Sequence, residues 1–213
     1  MPISDYINGA VIGIAQTIVG HPLDTLKIYS QNNNLASFKP RYLMNGLRYP
    51  IISNVISNTL IFGNYDTLLK IYDNDIIKAS LVTGFFNSFI INHLDYVKTH
   101  KQINNYVNPF KLSNIGLKYT ILRETISTPI YFYSYHYLRH KNYSPFISGG
   151  FAGISSWLLT YKIDTFKTRQ QLYPKFSFTD IYKMGGFYKG LSVCLVRAFI
   201  VNGIGFMIYD KLK

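Results

Sequence analysis

The chain has 213 residues, carries a formal net charge of +12 and contains one cysteine, Cys194. This length allows one domain or two small ones, and a single cysteine excludes an internal disulfide and any metal site built from several cysteines. A basic chain rich in tyrosine could bind nucleic acid, but the basic residues form no single stripe and the aromatic residues lie within apolar stretches, so we expect no nucleic-acid partner.

The coarse layout of the sequence is about six long helices. In chain order they cover residues 5–30, 48–72, 76–102, 114–139, 144–171 and 190–212. Asp73-Asn74-Asp75 forms a short turn after the second helix, and Asn142 to Pro145 forms another after the fourth. Several uncharged stretches, such as 79–92 and 125–135, are shorter than the ~20 residues of a membrane span. We explain the shortfall by charges that lie inside a bundle and face water or one another.

A short charged pattern closes the first, third and fifth predicted helices. Each copy has an aspartate, a lysine three residues later and a glutamine seven residues later, all on one helical face. The copies recur at a spacing of about 70 residues. Their members are Asp24, Lys27, Gln31, Asp95, Lys98, Gln102, Asp164, Lys167 and Gln171. A charged face at the end of three membrane helices suggests a ring of charge that closes a pore.

Other residues keep the same register. Pairs of small residues, which let membrane helices approach closely, precede each aspartate: Gly9 and Gly13, Ser80 and Gly84, Gly149 and Gly153. A Gly-Leu pair opens each even helix, followed by Phe and Tyr: Gly46, Phe62 and Tyr65, then Gly116, Phe132 and Tyr135, then Gly190, Phe206 and Tyr209. This agreement predicts three repeats, residues 1–73, 74–141 and 142–213, within a single domain of residues 1–213.

These residues resemble the mitochondrial carrier family, whose signature Pro-x-[Asp/Glu]-x-x-[Lys/Arg] occurs once in each repeat. The resemblance covers the chain from Gly9 to Lys213 and implies an all-α membrane protein, with six transmembrane helices in three pseudo-threefold repeats of a helix pair. His93 and Lys162 stand where the family has proline, so a proline kink is expected only at Pro22.

The resemblance also implies a location and partners. The protein is expected to be a multi-pass monomer of the mitochondrial inner membrane that moves a small molecule by alternating access, with no cofactor and no metal. Cardiolipin is expected at the matrix-side helix ends. The longer connections would lie on the matrix side, and only the third, Ser177 to Gly190, has the length for a complete surface helix.

A gate on the matrix side is the next implication. In the family, the acid on one odd helix pairs with the base on the next. The pairs carried over are Asp24–Lys98, Asp95–Lys167 and Asp164–Lys27. The glutamines Gln31, Gln102 and Gln171 would brace these pairs by hydrogen bonds.

A second gate, on the cytoplasmic side, follows from the family pattern [Phe/Tyr]-[Asp/Glu]-x-x-[Lys/Arg] on the even helices. Its members here are Tyr65, Asp66, Tyr135, Arg139, Tyr209, Asp210 and Lys213. His136 takes the place of the acid in the second copy, and Lys70 lies one position late in the first. Only Asp66–Arg139 is then an unambiguous pair, so this side is expected to close less tightly.

The substrate site is expected between the gates. Ser53, Arg123 and Arg197 lie seven residues after each Gly-Leu glycine, where the family contacts its substrate, and Asn54 and Glu124 adjoin them. Two arginines inside a bundle need an anionic partner, which a carboxylate or phosphate supplies. The Arg-Glu pair resembles carriers of amino acids, ornithine-like solutes and carnitine esters. An amino-acid-like or carnitine-like solute is therefore the first choice.

Other interpretations stay open. A nucleotide such as ADP, ATP or a dNTP could bind with its phosphates on Arg123 and Arg197. A carrier-like membrane interaction protein that transports nothing is favoured by the incomplete cytoplasmic gate and opposed by the complete matrix gate. Arg123 and Glu124 could also pair only with neighbouring helices. No nucleophile–base set and no metal-ligand spacing points to an enzyme, and we expect His93, His136 and Trp157 to be structural.

Overall fold

The computed structural model describes the backbone of residues 2–31, 48–102 and 113–212, and the side chains of 3–22, 50–97, 100 and 113–212. Over these residues the chain is entirely helical. The helices are α1 Pro2–Gln31, α2 Arg48–Ile71, α3 Ile76–Gln102, α4 Leu117–His140, α5 Pro145–Leu172, α6 Phe178–Lys183 and α7 Leu191–Leu212. The six long helices match the predicted ones to within a few residues, so the all-α class is confirmed.

The six long helices form a closed ring. Each of α1 to α4 packs against the next helix, α5 packs against α7, and α7 packs against α1. Helices α3 and α5 also contact one another directly. The polar and charged side chains that point inward from this ring therefore meet side chains of several other helices.

Apolar character is uneven among these helices. Length and composition mark one described helix, Leu191–Leu212, as able to cross a membrane. The other long helices carry asparagine, histidine, arginine or aspartate within their length, as membrane helices do when they line a polar interior. The count of six spans and the three repeat boundaries stay predictions.

Small residues let neighbouring helices approach to backbone contact. A Cβ atom added at Gly13 of α1 would lie 2.7 Å from the carbonyl oxygen of Asn54 and 2.8 Å from Cα of Val55, both on α2. One added at Gly149 of α5 would lie 2.7 Å from the carbonyl oxygen of Asn202 on α7. Real Cβ atoms do not come so close to a backbone. The close approach expected from the small-residue pairs is confirmed at these positions.

The Gly-Leu glycines have a conformational reason. Gly116 and Gly190 immediately precede α4 and α7 and have φ angles of +79° and +81°, in the left-handed region that glycine enters without strain. A Cβ atom at Gly116 would also lie 3.1 Å from Cγ of Gln171 on α5. The glycine thus both turns the chain into α4 and admits α5 beside it.

The third connection contains the expected short surface helix, α6. Ser177 caps it, and the Asp180 side chain accepts a hydrogen bond from the Ser177 backbone N–H in return, a capping box. Hydrogen bonds from Ser177 hold the pKa of the Asp180 carboxyl below its ordinary value. Arg169 of α5 donates to the carbonyl oxygen of Gly185 at 2.6 Å, which ties the segment after α6 to the ring.

We expect Gly13→Ala to lower the thermal stability of the purified chain. The added methyl group would overlap the α2 backbone, and overpacking of this kind costs about 1–3 kcal/mol, of which about 1 kcal/mol is offset by the better helix propensity of alanine. The unfolding midpoint followed by Trp157 fluorescence should fall by a few degrees. The control is Ile14→Ala on the same helix, at a position 42% exposed. A midpoint that stays unchanged or rises in Gly13→Ala would contradict the close approach.

Candidate functional site

One end of the ring, which we call the motif end, is held by an ion pair between α3 and α5. Lys167 Nζ donates to Asp95 Oδ2. The Lys167 side chain is 2% exposed and that of Asp95 is 29% exposed. A buried ammonium group without an acceptor would be strongly destabilising, so this contact fixes the register of α5 against α3. It joins two residues that the sequence placed in one gate.

The other expected pairs of that gate include side chains that the structure does not describe. The side chains of Asp24, Lys27, Gln31, Lys98 and Gln102 lie outside the described residues. The pairs Asp24–Lys98 and Asp164–Lys27 therefore stay predictions.

Gln171 joins the same two helices, but through a different partner from the expected one. Its Nε2 donates to the side-chain and backbone oxygens of Asn92, at 3.3 and 3.4 Å. Asn92 lies one turn before Asp95 and also accepts from Thr120 of α4 at 2.8 Å. The expected direct brace on the ion pair is thus corrected to an amide contact beside it. A single spacing could not reveal this, because Asn92 belongs to no repeated pattern.

Arg123 of α4 lies among carboxylates of three helices. Its Nη1 donates to Asp164 Oδ1 of α5 at 2.9 Å, its Nη2 pairs with Glu124, and the same nitrogen lies 3.8 Å from Asp95 Oδ2 of α3. The guanidinium also lies 5.9 Å from the ring centroid of Trp157, within cation–π range. Trp157, expected to be structural, is therefore a neighbour of the site.

We call Asp95, Arg123, Glu124, Asp164 and Lys167 the Arg123 cluster. The Arg123 side chain is 15% exposed and that of Glu124 is 7% exposed. The sequence placed Arg123 against a substrate anion, but in this conformation the protein's own carboxylates match its charge. The cluster contains three carboxylates and two cations, so its interior offers both signs of charge.

The other expected binding residues lie on α2 and α7. Asn54 Nδ2 donates to Thr17 Oγ1 of α1 at 3.0 Å, and the adjacent Ser53 is half-buried. Arg197 of α7 is half-buried and reaches α1, where a Cβ atom added at Gly20 would lie 3.4 Å from its Nη2. Thr17 and Gly20 are site neighbours that sequence reasoning missed, and their position one helical turn apart on α1 is the signal that could have found them.

The opposite end, the tyrosine end, is closed by six aromatic side chains that we call the aromatic ring. They are Phe62, Tyr65, Phe132, Tyr135, Phe206 and Tyr209, each no more than 3% exposed. Tyr65 stacks on Phe132 with centroids 3.5 Å apart, and Tyr135 stacks on Phe206 at 3.7 Å. Tyr209 lies 5.1 Å from Phe62. Each tyrosine thus packs on the phenylalanine of another of the three helices α2, α4 and α7, and the contacts close in a circle.

The three tyrosine hydroxyls repeat one hydrogen-bond pattern around this circle. Tyr209 donates to Asp66 at 2.6 Å and Tyr135 donates to Asp210 at 3.1 Å. The Tyr65 hydroxyl lies 2.9 Å from His136 Nε2. The ring of each tyrosine packs against a phenylalanine of a second helix. Its hydroxyl contacts the residue that directly follows the tyrosine of that second helix. His136 supplies a partner where the other two copies have aspartate.

The charged residues at this end pair differently from the expectation. Arg139 Nη2 donates to both carboxylate oxygens of Asp210, at 3.1 and 3.2 Å, whereas the sequence paired Arg139 with Asp66. Lys70 Nζ donates to Asp5 of α1 at 2.5 Å, so the late base of the first copy serves the α1–α2 contact. Lys213 lies outside the described residues.

The looser closure expected at the tyrosine end stays a prediction, but this end has contacts that the ion-pair pattern did not include. The buried aromatic ring and its hydroxyl contacts close this end although two of its expected ion pairs lack an acid or a base. Tyrosine hydroxyls can bond to either aspartate or histidine, which an ion-pair pattern read from sequence does not take into account.

Comparison with known proteins gives the same family from several directions. Residues 138–213 match the family described as mitochondrial carrier protein. The chain is similar to a mitochondrial arginine transporter of Arabidopsis thaliana, with 25% identity over 97% of this chain and 89% of the relative. It is also similar to the human mitochondrial basic amino acids transporter, with 28% identity over 95% of this chain and 87% of the relative. Human solute carrier family 25 member 45 is 24% identical over 100% of this chain and 98% of the relative.

These relatives match essentially the whole chain. The threefold register of aspartates, small residues and tyrosines also extends over nearly its whole length. The family's members are transporters, not enzymes. Residues 138–213 therefore match the mitochondrial carrier family, and the chain is similar over nearly its whole length to mitochondrial carriers.

Proposed function

We propose that this protein carries a zwitterionic solute of the amino-acid or carnitine type across the mitochondrial inner membrane. The observation that supports this choice is the Arg123 cluster, in which one arginine touches carboxylates on α3, α4 and α5. A solute with one carboxylate and one cationic group can replace both halves of such a contact. The arginine takes its carboxylate, and a released protein carboxylate takes its cation.

The cluster is less suited to a nucleotide. Phosphates approaching Arg123 would meet Asp95, Glu124 and Asp164 at close range, and like charges in a low-dielectric interior repel strongly. A nucleotide carrier remains the alternative, with phosphates on Arg123 and Arg197. The names of the plant and human relatives, which refer to arginine and to basic amino acids, agree with the first choice.

Arg197 and Glu124 have separate roles in this proposal. Arg197 of α7, with Arg123, binds the carboxylate of the solute. Glu124 receives the amine or quaternary ammonium group, and Ser53 and Asn54 of α2 supply neutral polar contacts. Alternating access requires the closing layers to open in turn. We assign the matrix gate to the three Asp–Lys pairs, including Asp95–Lys167, and the cytoplasmic gate to the aromatic ring with Arg139–Asp210.

The second alternative, a carrier-like interaction protein without transport, rested on an incomplete cytoplasmic gate. The buried aromatic ring and its three hydroxyl contacts weigh against that argument. Uptake assays on liposomes that contain the purified chain decide between the three. Labelled arginine, carnitine and ADP are offered in parallel, and empty liposomes give the background.

We expect Glu124→Gln to lower the uptake of a zwitterion by about tenfold to a hundredfold, because a charged hydrogen bond of about 1.5–3 kcal/mol is lost. If ADP is the substrate, the same change removes a repelling charge, and uptake should stay or rise. Arg197→Ala should remove uptake of either solute. The control is Lys118→Gln, an exposed position on α4, which should leave uptake unchanged. Wild-type uptake of ADP without uptake of arginine or carnitine would reject the first choice.

We expect Asp95→Lys to impair transport severely and the double change Asp95→Lys with Lys167→Asp to restore part of it. The two side chains form an ion pair, and coupled residues show interaction energies of about 0.5–3 kcal/mol. Restoration should be incomplete, because the new lysine would lie beside Arg123. The matched control is the same exchange in the exposed Asp75–Lys78 pair, 3.0 Å apart, where the effects should be small and additive. Additive losses at Asp95 and Lys167 would show that the two residues do not meet during the transport cycle.

A further inference from the structure

A groove opens on the outer surface of the helical ring, between α4 and α5 near the tyrosine end. It encloses about 450 Å³, within the size range of sites for small organic ligands. The wall on α4 includes Tyr133 and Tyr137, and the wall on α5 includes Ile147 and Phe151. Tyr143 of the connecting turn lies at its upper end. The groove is distinct from the Arg123 cluster and from the aromatic ring, which face inward.

The lining of this groove is unusually aromatic for a surface. Tyr133, Tyr137, Tyr143 and Phe151 are each about half exposed, at 51, 53, 50 and 49%. Tyr133 and Tyr137 stack on one another with centroids 6.3 Å apart, so the α4 wall is a continuous aromatic face. From Tyr133 to the end of α4 at His140 is roughly 10 Å of helix. If α4 and α5 span the bilayer as the resemblance implies, this groove runs from the membrane surface into the hydrocarbon layer.

The mouth of the groove is basic. His140 and Lys141, at the turn between α4 and α5, are exposed. Lys141 Nζ lies 5.9 Å from the ring centroid of Tyr137, directly beside the lining. A site with a cation at the membrane surface and an apolar channel below it has the charge and polarity profile of an anionic phospholipid.

The corresponding position between α2 and α3 provides an internal comparison. The tyrosine register places Gly63 and Thr67 where α4 has Tyr133 and Tyr137, and the small-residue register places Val82 where α5 has Phe151. The turn there is Asp73-Asn74-Asp75, which is acidic. Hydrogen bonds from the Lys78 backbone and side chain hold the pKa of the Asp75 carboxyl below its ordinary value, so it stays charged. Neither the aromatic lining nor the basic mouth is repeated.

We propose that the α4–α5 groove binds one anionic glycerophospholipid of the surrounding bilayer, with its phosphate at Lys141 and an acyl chain along Tyr133, Tyr137 and Phe151. The occupant comes from the membrane in which the chain lies. Its headgroup is selected by the basic turn and its chain by the aromatic walls. This lipid site lies at the opposite end of the ring from the matrix-side helix ends where cardiolipin was expected.

The test uses quenching of tryptophan fluorescence by brominated lipids in nanodiscs that contain the full chain. Every variant carries Trp157→Phe, which removes the one native tryptophan. Phe151→Trp places the probe in the groove. Leu81→Trp, one residue from the position equivalent to Phe151 and 39% exposed, places it at the same depth beside the acidic turn. Brominated phosphatidylglycerol and brominated phosphatidylcholine are compared at equal mole fraction.

We expect the groove probe to be quenched by phosphatidylglycerol with about a fivefold preference, the size expected for one basic side chain at an anionic lipid. The Leu81→Trp probe should show no preference, and adding Lys141→Gln should abolish the preference in the groove. Equal quenching by both lipids in the groove would overturn the proposal and leave an ordinary interfacial aromatic cluster. An equal preference for phosphatidylglycerol at both probes would also overturn the proposal, because it would show a general enrichment of anionic lipid around a basic protein.

Absence of quenching by either lipid in the groove would overturn the proposal in favour of a protein contact, such as a second copy of this chain. Tyr137→Trp, on the facing wall, repeats the measurement if Phe151→Trp fails to reconstitute. Transport activity does not enter the readout, so the result is independent of the proposed substrate.

Discussion

The constraint on which the rest of the structure depends is that charges inside the helical ring must meet their counter-charges on other helices. Lys167 is almost completely buried and pairs with Asp95 across the α3–α5 seam. Arg123 connects α4 to Asp164 of α5. An unpaired charge in such an interior costs several kcal/mol, so these contacts select the register of α3, α4 and α5, which the apolar faces alone would leave free to slide.

At the tyrosine end, buried polar groups also contact partners on other helices, but fewer of these groups are charged. Stacking of tyrosine on phenylalanine buries the rings, and each hydroxyl then needs one acceptor or donor nearby. Asp66, Asp210 and His136 all meet this need, because a phenol can donate to a carboxylate or to a neutral imidazole nitrogen. Histidine in the second copy therefore leaves the geometry intact. It replaces one of the three carboxylates of this layer by an imidazole.

Sequence periodicity was sufficient for the helices and for the small-residue contacts, such as that of Gly13 with α2. It did not predict which ion-pair or hydrogen-bond partner each polar side chain contacts. Arg123 had three carboxylates within reach, Arg139 had Asp66 and Asp210, and Gln171 had Asn92 as well as the ion pair. Spacing fixes the helical face and the height of a side chain, but helix rotation and tilt decide which of several neighbours it meets. Lys70 shows the same limit, since a shift of one residue turned it toward Asp5 of α1.

Helix α4 links the two ends of the ring. Arg123 lies near its beginning and Tyr135 near its end, about 18 Å away along the helix, with Pro129 between them. A tilt of α4 that separates Tyr135 from Phe206 at the tyrosine end must also move Arg123 relative to Asp164 at the motif end. On the proposed function, a solute carboxylate that takes Arg123 from Asp164 lowers the cost of that tilt. Coupling between the ends then runs along a single helix that contacts both, through the segment that contains Pro129.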